Sequence, residues 1–393
     1  MKIINLIPQV ARGRLYAAAC TLLFCCATAT VYAAEQTAAP AQPSNLDSVA
    51  RLIAGLAPSS PDHAVLADSK AWQSHSAAML KSWARVRDGQ LAAMKTWRST
   101  ELPAQCPVGH TLFYPFSGPD FLNAHALFPD CDTYVMFGLE PIGRMPDVSA
   151  MGPKEFAKLL ATVRDAMANL FERNYFVTNT MRRNLRTEQL RGVVPVFTMS
   201  MVLSGAEVIG IGPAPYPKKA GKIDGVAIDY RAANSRRVQR VIYYSVDISD
   251  KGLADYPEFL TYLRGLTPTT TLVKAASYLM HIKEFSKIRG VLLDTSEFLL
   301  QDDTGIPYNF LVKRGYTVKP YGTYKKPIPP FEPQYQPSLT ALYQSTQAPP
   351  LPFRFGYHTS LAESRSTLLI GRRPPAAPAA AATVQPPRPD ARQ

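Results

Sequence analysis

Residues 106–141 constrain the fold of this chain most, because they follow the order strand, short helix, strand. Residues 111–116 and 133–139 are apolar and rich in aromatic and β-branched side chains, as buried strands are. Between them, residues 117–120 supply a helix cap, a proline suited to the first turn and an acid that complements the helix dipole. So short a connection predicts a right-handed parallel βαβ crossover, and therefore a sheet with at least one parallel pair.

The first 33 residues have the features of a secretory signal peptide. A positively charged start without acids precedes an apolar run over residues 15–31, and small residues end it at Ala33. We expect cleavage after Ala33, a flexible leader over residues 34–45 and no transmembrane span after cleavage. Two alternatives are a retained membrane anchor, because a run of about 17 residues is near the lower limit for a span, and a lipoprotein modified at Cys20.

Cysteine usage then predicts one disulfide. Of the five cysteines, three lie in the first 33 residues, so the mature chain holds only Cys106 and Cys131. An oxidising compartment favours a disulfide between them, and two buried thiols are the alternative. No CxxC pair or clustered histidine accompanies them, so no metal site is predicted. Each cysteine precedes one of the two predicted strands, which places both at the same edge of the sheet.

The charge balance indicates a basic surface. The whole chain carries a formal net charge of +13. Removing the three positive charges of residues 1–33 leaves +10, and removing the excess of three after residue 371 leaves about +7 for the body. For an exported protein this favours anionic envelope polymers or lipid headgroups as partners and argues against nucleic acid. A hydrophobic content of 46% excludes a wholly disordered chain.

Hydrophobic periodicity predicts several helices. In residues 69–97 all three tryptophans fall on one stripe at three-and-four spacing, which is typical of a face packed on a core. The predicted helices are 46–56, 69–97, 118–127, 153–175, a basic one at 179–190, 257–263, 270–281 and 284–300.

β-branched and aromatic runs between turn signals predict the remaining strands. They are 193–203, 207–212, 222–230, 238–248, 310–312, 353–358 and 367–370. Together these elements predict a single α/β or α+β domain over residues 46–372, a mixed sheet covered by helices and held by one disulfide. Residues 325–352 are proline-rich and are expected to wrap this domain, whereas the Pro/Ala-rich tail 373–393 is expected to be disordered.

The stretch from Phe113 to Glu140 imitates a dinucleotide-binding site without its chemistry. A glycine turn follows the first strand, and an acid lies 22 residues after Gly118. However, one glycine stands where three are wanted, Pro115 interrupts the strand, and Asp120 places negative charge where a pyrophosphate should bind. The sequence therefore predicts no cofactor.

Six polar residues are candidates for a functional site. Ser117 lies at a strand-to-helix turn with His125 two turns away, an arrangement that suits either a nucleophile and its base or a helix cap and a packed histidine. Asp302 and Asp303 are adjacent carboxylates, suited to acid–base work or to calcium, or simply to a turn that ends a helix.

Asp120 and Glu140 follow the two strands of the predicted parallel pair. Both would lie at the carboxyl edge of the sheet, where ligands of parallel α/β proteins bind. Two carboxylates close together there would raise the pKa of one of them. The alternative is that Asp120 complements the helix dipole and Glu140 faces solvent.

The strings FYPFSGPDFLNAHALFP at residues 113–129 and LLQDDTGIPY at residues 299–308 resemble segments of an uncharacterised family of exported bacterial proteins. The resemblance covers most of the mature body and implies export but no activity. Two functions are therefore expected, both for a periplasmic or secreted protein. One is a non-catalytic cell-envelope or ligand-binding protein, and the alternative is a hydrolase acting on an envelope ester, glycan or peptide.

Overall fold

A mixed β-sheet organises the protein. The computed structural model describes residues 45–102, 106, 109–173, 185, 187, 189–216, 223–266, 269–357 and 366–373. Within this part, nine strands join in the order β3-β4-β5-β2-β1-β6-β7-β9-β8. The strands are β1 (Thr111–Tyr114), β2 (Thr133–Gly138), β3 (Glu207–Pro213), β4 (Asp224–Arg231), β5 (Val238–Ser245), β6 (Thr269–Val273), β7 (Ser296–Gln301), β8 (Thr317–Gly322) and β9 (Thr367–Arg372).

The centre of the sheet is parallel and doubly wound. Strands β5, β2, β1, β6 and β7 are parallel neighbours, which places them in the order third, second, first, fourth, fifth along the chain. The strand order reverses between β1 and β6, and in such sheets the crevice outside the carboxyl ends at this point is where ligands bind. Antiparallel pairs flank the centre, with β3 and β4 beyond β5 and with β9 and β8 beyond β7.

Eleven α-helices within the described residues accompany the sheet, and both faces are covered. They are α1 (Asn45–Ile53), α2 (Ala64–Ala67), α3 (Lys70–Arg85), α4 (Ala92–Glu101), α5 (Phe121–Leu127), α6 (Pro153–Arg173), α7 (Val194–Leu203), α8 (Pro257–Arg264), α9 (Ser286–Thr295), α10 (Tyr308–Lys313) and α11 (Pro337–Ser345). One core joins α1 and α3–α7 to the face of Tyr114 and Tyr243, and the other joins α8–α10 to the face of Phe113 and Tyr244. Period-two alternation along the strands divides the side chains between the cores.

The predicted α/β fold and its parallel βαβ unit are confirmed. Thr111 pairs with Thr133 in parallel register, and α5 forms the crossover. The tryptophan stripe also packs as predicted, with Trp83 and Trp97 buried and Trp72 partly buried. A π-helical turn at Val86–Leu91 divides the single predicted helix into α3 and α4.

The disulfide is present, with Cys106 and Cys131 joined across a Cα–Cα distance of 5.0 Å. Both cysteines precede their strands, so the disulfide lies at the amino edge of the parallel sheet, opposite the carboxyl edge.

The strand predicted over residues 193–203 is wrong, because this segment is helix α7. All ten residues of α7 are buried, so it lacks the polar stripe that identifies a helix on a protein surface. Pro195 lies in its first turn, where proline suits a helix. Burial on every side makes an apolar helix and an apolar strand indistinguishable by pattern.

Several later elements also differ from prediction. Residues 270–281 and 284–300 were predicted as helices, but β6 opens the first and β7 closes the second. Conversely, the predicted strand 310–312 lies in helix α10, and the described residues 353–357 of the predicted strand 353–358 contain no strand. Strand β8 has no counterpart among the predicted strands. Parallel strands buried on both faces lack alternation, which explains why β6 and β7 were mistaken for helix.

Four predicted regions lie wholly or largely outside the described residues. They are the signal peptide, the leader, residues 179–190 and the tail beyond residue 373. The proline-rich segment 325–352 contains a 3₁₀ turn at Pro329–Gln334 and α11, whose Leu339 packs with Tyr324 and Leu369. The described residues all belong to the compact unit Pro43–Gln393.

Candidate functional site

The turn after β1 is sharp and is built by left-handed backbone. Phe116 has φ 57° and Gly118 has φ 51°, so two of the four residues that follow β1 have left-handed backbone. A bulky residue rarely adopts this conformation, which indicates that the surroundings enforce it. The turn delivers Asp120 to the N-cap of α5, where one carboxylate oxygen accepts the backbone N–H of Asn123 at 3.4 Å.

Asp120 forms a buried ion pair across the point where the strand order reverses. Lys274, the residue after β6, donates from Nζ to Asp120 Oδ2 at 2.6 Å, and the two side chains are 1% and 3% exposed. Tyr114 Oη donates to the same oxygen at 2.9 Å, and Asn123 Nδ2 donates to Oδ1 at 2.8 Å. The pair therefore joins the ends of β1 and β6 through two buried side chains.

The loop after β6 is strained and is held by Asp302 and its neighbours. Ala275, Ser277 and Tyr278 all have φ between 50° and 54°. Asp302 Oδ2 accepts the Ala275 N–H at 2.9 Å, and Tyr357 Oη donates to the Ala275 carbonyl at 2.7 Å. Left-handed residues other than glycine cost of the order of 1–3 kcal/mol each, so these contacts maintain a conformation that the loop would not adopt alone.

Asp302 and Asp303 follow β7 and are both buried. Burial and the neighbouring charge of Asp303 raise the pKa of Asp302 to about 7, although hydrogen bonds from Thr304 and Ala275 act in the opposite direction. Asp303 accepts hydrogen bonds from Tyr278 Oη and from Thr367 Oγ1. Asp302 thus holds the β6 loop through Ala275, and Asp303 holds both that loop, through Tyr278, and β9, through Thr367.

Glu140 ends β2 on the other side of the same turn. Its carboxylate is buried, and Tyr243 Oη donates to Oε2 at 3.2 Å. A Cβ atom on Gly138 would lie 2.3 Å from that oxygen, so the strand end leaves no room for a side chain there. Asp120 and Glu140 therefore share the carboxyl edge, but Asp120 faces Lys274 after β6 while Glu140 faces Tyr243 on β5.

Ser117 and His125 have separate contacts. Ser117 Oγ accepts the Phe137 N–H at 3.1 Å and lies 3.2 Å from the Phe137 carbonyl oxygen, which ties the turn to β2. His125 stacks on Phe121 with ring centroids 5.1 Å apart, and its Nδ1 lies 3.4 Å from Tyr134 Oη. Burial lowers the pKa of His125 to about 4.

An open cavity of about 550 Å³ lies one strand further along the carboxyl edge. Its polar residues are Asp224, at the start of β4, and Ser245, at the end of β5. Apolar side chains and glycine backbone form the rest of its lining, namely Leu139, Pro141, Ile142, Pro213 and Val226 with Gly143, Gly212 and Gly225. The volume is in the range of small-molecule sites.

The wall of this cavity formed by residues 139–143 is fixed to the chain before α7. Val193 and Val194 donate backbone hydrogen bonds to the carbonyls of Pro141 and Ile142, at 2.9 and 3.1 Å. A Cβ atom on Gly143, which has φ +68°, would lie 1.4 Å from the backbone oxygen of residue 191. Only glycine permits so close an approach, and the two segments are therefore locked together.

The structure adds residues that the sequence did not single out, namely Tyr114, Lys274, Tyr278 and Tyr357. A lysine directly after the threonine-rich run of β6 was the available signal. The predicted helix over residues 270–281 hides this signal, because a helix there would not place Lys274 at the carboxyl edge, whereas β6 does.

Within the described residues, no group of three or more His, Cys, Asp or Glu side chains is arranged to hold a metal ion. The same residues include no helix with the length and apolar character needed to cross a membrane. Comparison of the chain with protein-family models, curated proteins and solved structures found no match.

Proposed function

We propose that this chain is an exported, non-catalytic binding protein of the cell envelope, and that its ligand occupies the cavity beside Asp224 and Ser245. The observation that carries the proposal is a contrast along one edge of the sheet. The ends of β1 and β6 are joined by the buried ion pair of Asp120 and Lys274, whereas the cavity outside β2 and β5 is open. Ligands of doubly wound proteins bind outside the carboxyl ends of the strands, where this cavity lies.

The contacts of the candidate catalytic residues support binding rather than catalysis. A serine nucleophile needs a base within hydrogen-bond reach, and Ser117 instead bonds the backbone of Phe137. With a pKa of about 4, His125 is a weak base at neutral pH. Asp120 is bound to a cation, a hydroxyl and an amide inside the protein.

Export rests on the features of residues 1–33 and on the disulfide. A bridge between Cys106 and Cys131 fits an oxidising compartment such as the periplasm. The basic charge of the chain remains the basis for expecting contact between its surface and anionic envelope polymers or lipid headgroups.

Native mass spectrometry tests the proposal on full-length protein expressed with its own N-terminus and purified from periplasmic extract. We expect a bound small molecule that is released on denaturation. Ser245→Trp should remove it, because this side chain lies on the cavity face of β5 and a large ring would fill the space. Val238→Trp is the matched control, since Val238 is exposed at the other end of the same strand. Equal spectra for wild type and Ser245→Trp would contradict the proposal.

The alternative, a hydrolase of envelope esters, glycans or peptides, has one observation in its favour. Asp302, whose pKa is raised to about 7, would be protonated in part at neutral pH, as a general acid must be. Hydrolysis of p-nitrophenyl acetate that is lost in Ser117→Ala or Asp302→Asn, while both variants stay folded, would favour this alternative over binding.

A further inference from the structure

The polar residues of the cavity lie side by side on one face of the sheet. Asp224 and Ser245 are directly paired across the antiparallel ladder of β4 and β5, so their side chains project from the same face. Tyr243 lies two residues before Ser245 and therefore shares that face, and its hydroxyl group donates to Glu140. The cavity thus has the carboxylate of the exposed Asp224 beside the hydroxyl of Ser245.

The described residues that line the cavity include no lysine, arginine or histidine. Asp224 is therefore the one charged residue among the described residues that line it, in a chain whose net charge is +13. A local negative charge within a positive chain disfavours an anionic ligand at this position and favours a cation.

The remaining walls are suited to hydrocarbon. Leu139, Pro141 and Ile142 line it after β2, and Pro213 and Val226 line it from β3 and β4. A ligand that fits both halves has an apolar body of several carbon atoms and one positively charged or donor group.

We infer that the cavity binds an apolar molecule that carries a protonated amine, with the ammonium group on Asp224 and Ser245 and the hydrocarbon against Leu139 and Val226. This rests on the proposed binding function and specifies its ligand class. The N–H donors of the amine complement the carboxylate, and the hydroxyl of Ser245 accepts a second hydrogen bond.

The test uses three probes of equal chain length, namely octylamine, octanol and octanoate, each below the concentration at which it forms micelles. Isothermal titration calorimetry with the full mature chain should show octylamine binding at least tenfold more tightly than octanoate, with octanol between them. Octanoate binding as tightly as octylamine would overturn the inferred ligand class.

Two variants test whether the charge of Asp224 causes the preference for octylamine. Asp224→Asn should weaken octylamine at least tenfold and leave octanol within about twofold, because only the amine uses the charge. Asp255→Asn removes an exposed carboxylate in the turn Gly252–Asp255, outside the cavity, and should change neither affinity. An equal loss in both variants would mean that overall charge, not Asp224, attracts the amine, and would overturn the inference.

Ser245→Trp separates this inference from the proposed function. If all three probes bind, none prefers the amine and Ser245→Trp abolishes binding, then the cavity is a binding site but its ligand class is wrong. If no probe binds in a manner sensitive to Ser245→Trp, the cavity is not the site and both proposals fail.

Discussion

Removing both partners of the buried ion pair should destabilise this protein far less than the sum of the two single removals. In Lys274→Met the Asp120 carboxylate keeps three donors, from Tyr114 Oη and from the backbone and side chain of Asn123. We expect a loss of about 3 kcal/mol, at the lower end of the cost of breaking a buried pair.

Asp120→Asn should cost more. Asparagine is as good a helix cap as aspartate, so the substitution removes the charge and preserves the start of α5. It leaves an ammonium group that is 1% exposed without a carboxylate partner among the described residues. We expect a loss of about 5 kcal/mol in the free energy of unfolding.

The double variant Asp120→Asn with Lys274→Met leaves no buried charge at this position. Its loss should be below about 4 kcal/mol, against about 8 kcal/mol for the sum of the single losses, which is a coupling energy of at least about 4 kcal/mol. Urea unfolding followed by far-UV circular dichroism, with equal denaturant slopes as the test of two-state behaviour, measures all four corners of the cycle.

Arg314 and Asp294 provide the matched control. They also lie 2.6 Å apart, but their side chains are 50% and 41% exposed. The corresponding cycle, Arg314→Met with Asp294→Asn, should show a coupling energy below about 1 kcal/mol. Additive losses at Asp120 and Lys274, or the same coupling in both cycles, would refute the reasoning that burial determines the strength of this pair.

Three further predictions concern other parts of the chain. The disulfide closes a loop of 25 residues, so Cys131→Ser or reduction should lower the free energy of unfolding by about 3.5 kcal/mol while helix content stays unchanged; two thiols titrated in native, oxidised protein would contradict this. Because the pKa of Asp302 is raised above its unfolded value to about 7, the folded state binds its proton more tightly, and stability should fall as pH rises from about 4 to about 7. The wild-type free energy of unfolding, relative to Asp302→Asn, should then drop by up to about 4 kcal/mol over that interval, and a rise would give the wrong sign. Finally, intact mass of the exported protein should place its first residue at Ala34, and a retained N-terminus or a lipid on Cys20 would exclude this cleavage.

Features that depend on neighbouring residues could be predicted from the sequence. The crossover through α5 follows from local turn and cap signals, and the disulfide follows from two cysteines placed before two paired strands. The stripe on α3 and α4 follows from helical periodicity.

Features that depend on the assembled sheet could not be predicted in this way. Helix α7 has no exposed side to create a pattern, and β6 and β7 are covered on both faces. Lys274 and Asp120 are 154 residues apart, and only the strand order brings them together. The cavity arises likewise from four separate segments, since its Asp224 and Ser245 meet through the β4–β5 register.

The locked contact between Gly143 and the segment before α7 has a consequence for the kinetics of recognition. Because backbone hydrogen bonds hold this wall in place before any ligand arrives, little chain entropy remains to be lost when the cavity fills. Association should therefore follow a single exponential whose rate rises linearly with ligand concentration, without a slow isomerisation phase. The wall would also restrict the range of shapes accepted, since a ligand too large for the cavity cannot displace backbone that is hydrogen-bonded to the segment before α7.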